Sequence, residues 1–227
     1  MSTQPATSRA DALRDGLVAA ARELFSGRGL TVTQAQVAAR AGTGVASLYR
    51  RFGTKDDLIL GAYRDALALG PETAHQAAEK ESAWSGLVHF VTASADVLAG
   101  DRGLRELVLG GFGAPLGWSR GSGPTELARV LRDTDALVVA RLEPVVRRAQ
   151  ADGDLRPDVG VTDVQLVTAM VQAGATLGGP TVPGLHRRAV GLVLDGLRGR
   201  RDGPTPLPVP AMTLQELREV TARAAHP

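Results

Sequence analysis

Five side chains able to hold an anion fall within nine residues of one another: Ser47, Tyr49, Arg50, Arg51 and Lys55. Hydroxyls, guanidinium forks and an ammonium hydrogen-bond phosphate oxygens, and arginine also reads guanine edges bidentately. Leu48 and Phe52, four residues apart, supply an apolar side that anchors the same segment. Catalytic chemistry has no comparable cluster. The four histidines are dispersed without metal-ligand pairing, and the chain has no cysteine, which removes thiolate nucleophiles and cysteine zinc sites. No Ser-His-Asp arrangement follows from spacing, and "GGFG" at 110–113 lacks the strand and helix of a phosphate loop. No metal or cofactor site is expected.

The elements that position these groups read as helices. Leu13, Leu17, Ala20 and Leu24 mark a first helix, stopped by "SGRG" at 26–29. Thr33 with Gln36 makes a capping-box pattern opening a second helix over 33–41. A tight turn containing Gly42 leads to a short third helix over about 45–51. That is helix-turn-helix spacing, in which the second helix of the pair can enter a DNA major groove. Thr54 caps a fourth helix, with Asp56 and Asp57 at its positive end, and Gly70-Pro71 is expected to stop it.

Beyond Pro71, helices are expected through Trp84–Leu98 and Leu104–Val108, then a loop or broken helix over 110–124. A long helix from about Pro124 to Ala151 follows, which Pro144 should kink or divide. A second capping box, Thr162 with Gln165, opens a helix over about 162–177, and another covers 185–198. "GPTPLPVPA" reads as a stiff linker before a short final helix opened by Thr213 and Glu216 and ending near Ala224. No strand-like alternation is present, so the fold class is all-α: a helix-turn-helix domain (1–70), a larger helical domain (71–200), and a Pro-rich linker with a short helix (201–227).

Totals bound the function. Apolar residues are 44% and charged residues 22% of 227, ordinary for a globular protein. Net charge is +2, but residues 1–70 hold 9 Arg/Lys against 6 Asp/Glu, while 71–227 hold 17 against 18. The longest largely apolar run, 107–118, is too short and glycine-rich to span a bilayer, and the polar N-terminus carries no signal-like run. A cytoplasmic protein without membrane contact is expected. Spacing alone fits either a DNA-reading helix pair or a helical hairpin with a solvated basic face, in a scaffold or an enzyme.

Three stretches break that tie. "LVAAARELFSGRGL" (17–30), "TQAQVAARAGTGVASLYRRF" (33–52) and "KDDLI" (55–59) resemble the DNA-binding domain of tetracycline repressor (TetR) family regulators. "RRAQADGDLRPDV" (147–159) and "RRAVGLVLDGLR" (187–198) resemble the long-helix end and last dimer helix of many members. The resemblance implies backbone or groove contacts at Thr33, Ser47, Tyr49, Arg51 and Lys55, with Val45, Ala46 and Arg50 at positions that vary with operator sequence. Gly44 stands where the family usually has a capping serine, leaving Thr43 to take that role by a one-residue shift. Ala46 replaces a usual glycine, and Arg51 stands where histidine is common.

The resemblance further implies a homodimeric, ligand-responsive regulator, most often a repressor, released from palindromic double-stranded operator DNA by a small-molecule effector. Helices of about 162–177 and 185–198 would pair between subunits, through the stripe Val164, Val167, Thr168, Val171, Ala175, Val190, Val193, Leu194 and Leu197, which fits intramolecular core as well. Trp84, Phe90, Phe112, Trp118 and Met170 are candidates to line an effector pocket or to form ordinary core, and the default effector is apolar or amphipathic. His89 is expected at the surface or in the core, His186 on a dimer or solvent face.

Overall fold

The computed structural model describes residues 9–109, 125–179, 181–200 and 213. Its helices are α1 (Arg9–Arg28), α2 (Gln34–Arg40), α3 (Val45–Phe52), α4 (Lys55–Ala78), α5 (Ala83–Gly100), α6 (Arg102–Leu109), α7 (Glu126–Ala151), α8 (Val161–Gly178) and α9 (Leu185–Leu197). Among the described residues no strand occurs; Leu155 and Arg198 form one isolated antiparallel bridge. The expected loop at 110–124 and the expected linker and final helix lie outside the described residues, apart from Thr213.

Two compact units emerge from packing: Met1–Ala68 with Asp101–Asp133, and Leu69–Gly100 with Thr134–Pro227. The first therefore takes in α6, which the sequence division left with the larger domain. Its interior is built from Leu17, Phe25, Leu48, Leu58, Ile59 and Tyr63, all fully buried. The Phe25 and Tyr63 rings stack with centroids 6.4 Å apart. In the second unit Leu87, Phe90, Val91, Leu142, Val145, Val164 and Val171 share one apolar core.

Pro71 does not stop α4, and Pro144 does not divide α7. α4 runs through Pro71 to Ala78, and α7 is continuous through Pro144. Proline removes one N–H from the helical ladder, and burial on the far side of it offsets that loss. Ala74 and Ala77 follow Pro71 into the core, and Val145, Val146 and Ala149 follow Pro144. Arg141 Nη1 also donates to the Pro71 carbonyl at 2.5 Å. Where α4 meets α5, a Cβ on Gly86 would collide with the Ala77 carbonyl, so this close approach requires glycine.

α8 opens two residues earlier than the Thr162–Gln165 pattern suggests. Asp163 accepts the Gly160 N–H at 2.7 Å, while Gln165 turns to Asp135 of α7 at 2.6 Å. A carboxylate is the stronger acceptor for a helix-end N–H, and it wins the position. At the start of α9, His186 is buried and paired with α5, where a dimer or solvent face was expected: its Nε2 lies 2.8 Å from Asp96 Oδ1, which also takes Arg187 Nε at 2.8 Å. Burial pushes the Asp96 carboxyl up, but the Arg187 and His186 hydrogen bonds outweigh it and hold it below its usual range. His89, half-exposed, meets Gln76 at 3.2 Å.

Candidate nucleic-acid interface

The helix pair begins with a complete capping box. Thr33 N–H donates to Gln36 Oε1 at 2.8 Å, and Gln36 N–H returns to Thr33 Oγ1 at 3.2 Å. α2 ends on Gly42, at φ 66°, with Thr43 N–H on the Ala38 carbonyl (2.9 Å) and Gly42 N–H on that of Ala39 (3.1 Å). These two bonds form a Schellman motif, which fixes the turn into α3. Thr43 is thereby committed to closing α2. The expected one-residue shift does not happen: the N-cap of α3 is Gly44, extended at φ −75° and ψ 145°, with no side-chain cap hydrogen bond.

What holds α3 down is apolar. Leu48 is 0% exposed and Phe52 4%, and burying two such side chains contributes about 1.5–3 kcal/mol each. Between them the helix turns outward. Tyr49 is 51% exposed and Val45 38%, and Ala46, Arg50 and Arg51 are exposed too. Arg50 Nη2 rests on Ser47 Oγ at 2.9 Å. Donors and a tyrosine ring thus share one open face of α3, while the opposite face is sealed into the core.

Tethers to α1 fix the pair. Arg40 on α2 grips Glu23 through two contacts, 3.1 and 2.6 Å. The Arg14 guanidinium lies 5.7 Å from the centroid of the Phe52 ring, a cation–π distance. Thr54 and Asp57 cap α4 reciprocally at 3.0 and 3.1 Å.

Lys55 departs from expectation in part. Its Nζ donates to the Leu30 carbonyl, inside the same unit. Burial lowers its affinity for a proton, while the charges of Asp56 and Glu106 work the other way. One of its three N–H donors is therefore spent on the fold. Leu30 is held on its other side as well: its N–H donates to Glu106 Oε2 of α6 at 2.7 Å, and Arg102 Nε holds Glu106 Oε1 at 2.7 Å. Asp101 caps α6 at Leu104 N–H (2.9 Å) and takes the Tyr63 hydroxyl at 2.8 Å. Burial first, then that hydrogen bond, pushes the Tyr63 phenol far above its ordinary range. Sequence reading did not find Glu106, Asp101 or Arg14; only "DRGL" at 101–104 carried a local hint, as an aspartate three residues before an apolar helical position.

Of the five effector candidates, three lie among the described residues. Trp84 and Phe90 are packed in the core of the larger unit, with the Arg198 guanidinium 4.6 Å from the Trp84 ring centroid. Met170 is 58% exposed. Phe112 and Trp118 lie outside the described residues. An open groove of about 260 Å³ runs along Ala99, Gly174, Val182 and His186, and among the described candidates none of Trp84, Phe90 and Met170 lines it. Of the stripe that fitted either a subunit interface or intramolecular core, Val164, Val167, Thr168, Val171, Val190 and Leu194 are buried within the chain's own core. The exposed apolar residues are instead Leu166, Met170 and Leu177 on α8 and Leu192 on α9.

A family model described as bacterial regulatory proteins, tetR family, matches residues 17–62, and one described as transcriptional regulator SbtR-like, C-terminal domain, matches 84–199, just over half of the chain. Among solved structures, the TetR transcriptional regulator SCO0520 from Streptomyces coelicolor is 27% identical, covering 85% of this chain and 99% of that one at a TM-score of 0.52. SmeT, the repressor of the Stenotrophomonas maltophilia multidrug efflux pump SmeDEF, shares the fold at 18% identity, with 90% and 100% covered and a TM-score of 0.58. No curated protein matches the chain. No helix among the described residues is long and apolar enough to cross a membrane.

Proposed function

The chain belongs to the tetR family of bacterial regulatory proteins, and from that premise we propose that it is a homodimeric repressor that binds a palindromic operator and leaves it when a small effector binds. The observation that carries the reading is the open face of α3, Tyr49, Arg50 and Arg51 outward with Leu48 and Phe52 sealed beneath. Thr33, Ser47, Tyr49, Arg51 and the remaining donors of Lys55 hold phosphates. Val45, Ala46 and Arg50 face base edges, and the uncapped turn at Thr43 and Gly44 lies against the backbone.

The dimer forms through α8 and α9, on the exposed face of Leu166, Met170, Leu177 and Leu192. On α8 these fall at steps of 4 and 7 residues, a single helical stripe. A contiguous apolar surface of this kind marks an interaction site. Two recognition helices then stand about 34 Å apart, one DNA turn. The effector is apolar or amphipathic, in keeping with an interior whose buried polar side chains, among the described residues, are Thr168, Gln172 and His186. It releases DNA only by binding the non-DNA-binding geometry better than the bound one.

Selection from random DNA followed by anisotropy titration tests the reading. A palindrome with half-sites one turn apart is expected, with affinity falling steeply as salt rises. Tyr49→Phe should weaken binding roughly three- to tenfold, the loss of one hydrogen bond, with helix content and dimerisation unchanged. Recovery of no consensus, or binding indifferent to salt, would sink the proposal.

A further inference from the structure

We propose that Glu106, on α6 and outside the 17–62 segment matched by the tetR family model, is a positioning residue for operator binding, acting through the peptide groups of Leu30. The inference rests on the operator-binding reading above. Leu30 is 2% exposed, three residues before Thr33, the N-cap of α2. Its N–H is held by Glu106 and its carbonyl by Lys55. One residue is therefore clasped from both sides, by α6 and by the first residue of α4. The two ends of the clasp adjoin two of the phosphate-holding residues, Thr33 and Lys55 itself.

The fit around the carboxylate is close. Gly29 sits at φ 79°, and a Cβ there would overlap the Glu106 carboxyl group. Arg102 fixes the second carboxylate oxygen, so the acceptor is aimed before Leu30 meets it. The Glu106 side chain is 27% exposed, shielded enough that its charge favours the protonated Lys55 across the turn. Without Glu106, the Leu30 N–H loses its acceptor, the Gly29–Leu30 turn gains freedom, and Lys55 loses one of the charges that offset its burial. Glu106 itself touches no DNA. Its removal changes where the contacts stand and leaves their number alone.

The test uses the full chain and the operator selected by the wild type, measured well below the melting temperature of each variant. Glu106→Ala should bind about tenfold more weakly, the loss of one hydrogen bond to a charged acceptor, with the salt slope unchanged. A lost phosphate contact, as in Arg51→Ala, should instead flatten the slope by about one. Glu106→Gln, whose amide oxygen still accepts the Leu30 N–H, should recover most of the affinity. Exchange of the Leu30 amide, followed by mass spectrometry or NMR, should be slow in the wild type and in Glu106→Gln and faster in Glu106→Ala. Should Glu106→Ala fail to fold, Glu106→Asp, with a carboxylate one methylene short of Leu30, should show the weaker binding instead. Operator affinity within twofold of wild type in a folded Ala or Asp variant overturns the inference, as does fast Leu30 exchange in the wild type. A wild type that selects no operator removes the reading beneath it, and the inference with it.

Discussion

α2 and α3 are nearly the same length and separated by a four-residue turn, yet they begin in opposite ways. α2 opens on a reciprocal Thr33–Gln36 box. α3 opens on a bare glycine with no side-chain hydrogen bond. The burial beneath them is also unequal: α2 puts down Val37 and Ala38, α3 the larger Leu48 and Phe52. A short helix needs support from its ends or from its face. α2 draws on its own sequence at the end, whereas α3 draws on the core and leaves its first N–H groups to whatever lies outside.

Three substitutions test that contrast. Leu48→Ala should have the largest effect, costing about 3 kcal/mol in urea unfolding and abolishing specific DNA binding at 37 °C; a loss under 1 kcal/mol would mean that α3 is held some other way. Thr33→Ala removes the oxygen that accepts Gln36 N–H and should cost about 1 kcal/mol, read as a lower urea midpoint at constant slope. The smallest change is a gain. Nothing lies within 4 Å of a Cβ on Gly44, so Gly44→Ser should add a few tenths of a kcal/mol by supplying the missing cap. Destabilisation by that serine would show that the extended backbone at Gly44 serves a purpose that a cap disturbs.

Legibility followed the distance over which a determinant acts. The Thr33–Gln36 box, the Thr54–Asp57 cap and the Leu48–Phe52 pair each lie within four residues, and all stand in the structure as read. Pro71 misled because a proline's local cost is visible in sequence, while the burial of Ala74 and Ala77 that offsets it is not. Thr162 with Gln165 lost to Gly160 with Asp163 because Gln165 found a partner 30 residues away in Asp135. His186 looked surface-like until Asp96, 90 residues earlier, paired with it. α8 and α9 were correctly read as strongly apolar, but periodicity does not say which side faces the chain's own core. Only packing separated Val164 and Val171 from Leu166 and Met170. Glu106 was invisible for the same reason, since its partner Leu30 is 76 positions away.

That separation bears on how the protein is made. The N-terminal unit is discontinuous, needing Asp101–Asp133 beside Met1–Ala68. During synthesis α1 to α3 leave the ribosome first, but the acceptor for Leu30, the acceptor for the Tyr63 hydroxyl, and Leu104 and Leu107 of α6 have not yet been translated. At about 5–20 residues per second, the nascent helix-turn-helix waits several seconds for the helix that closes it.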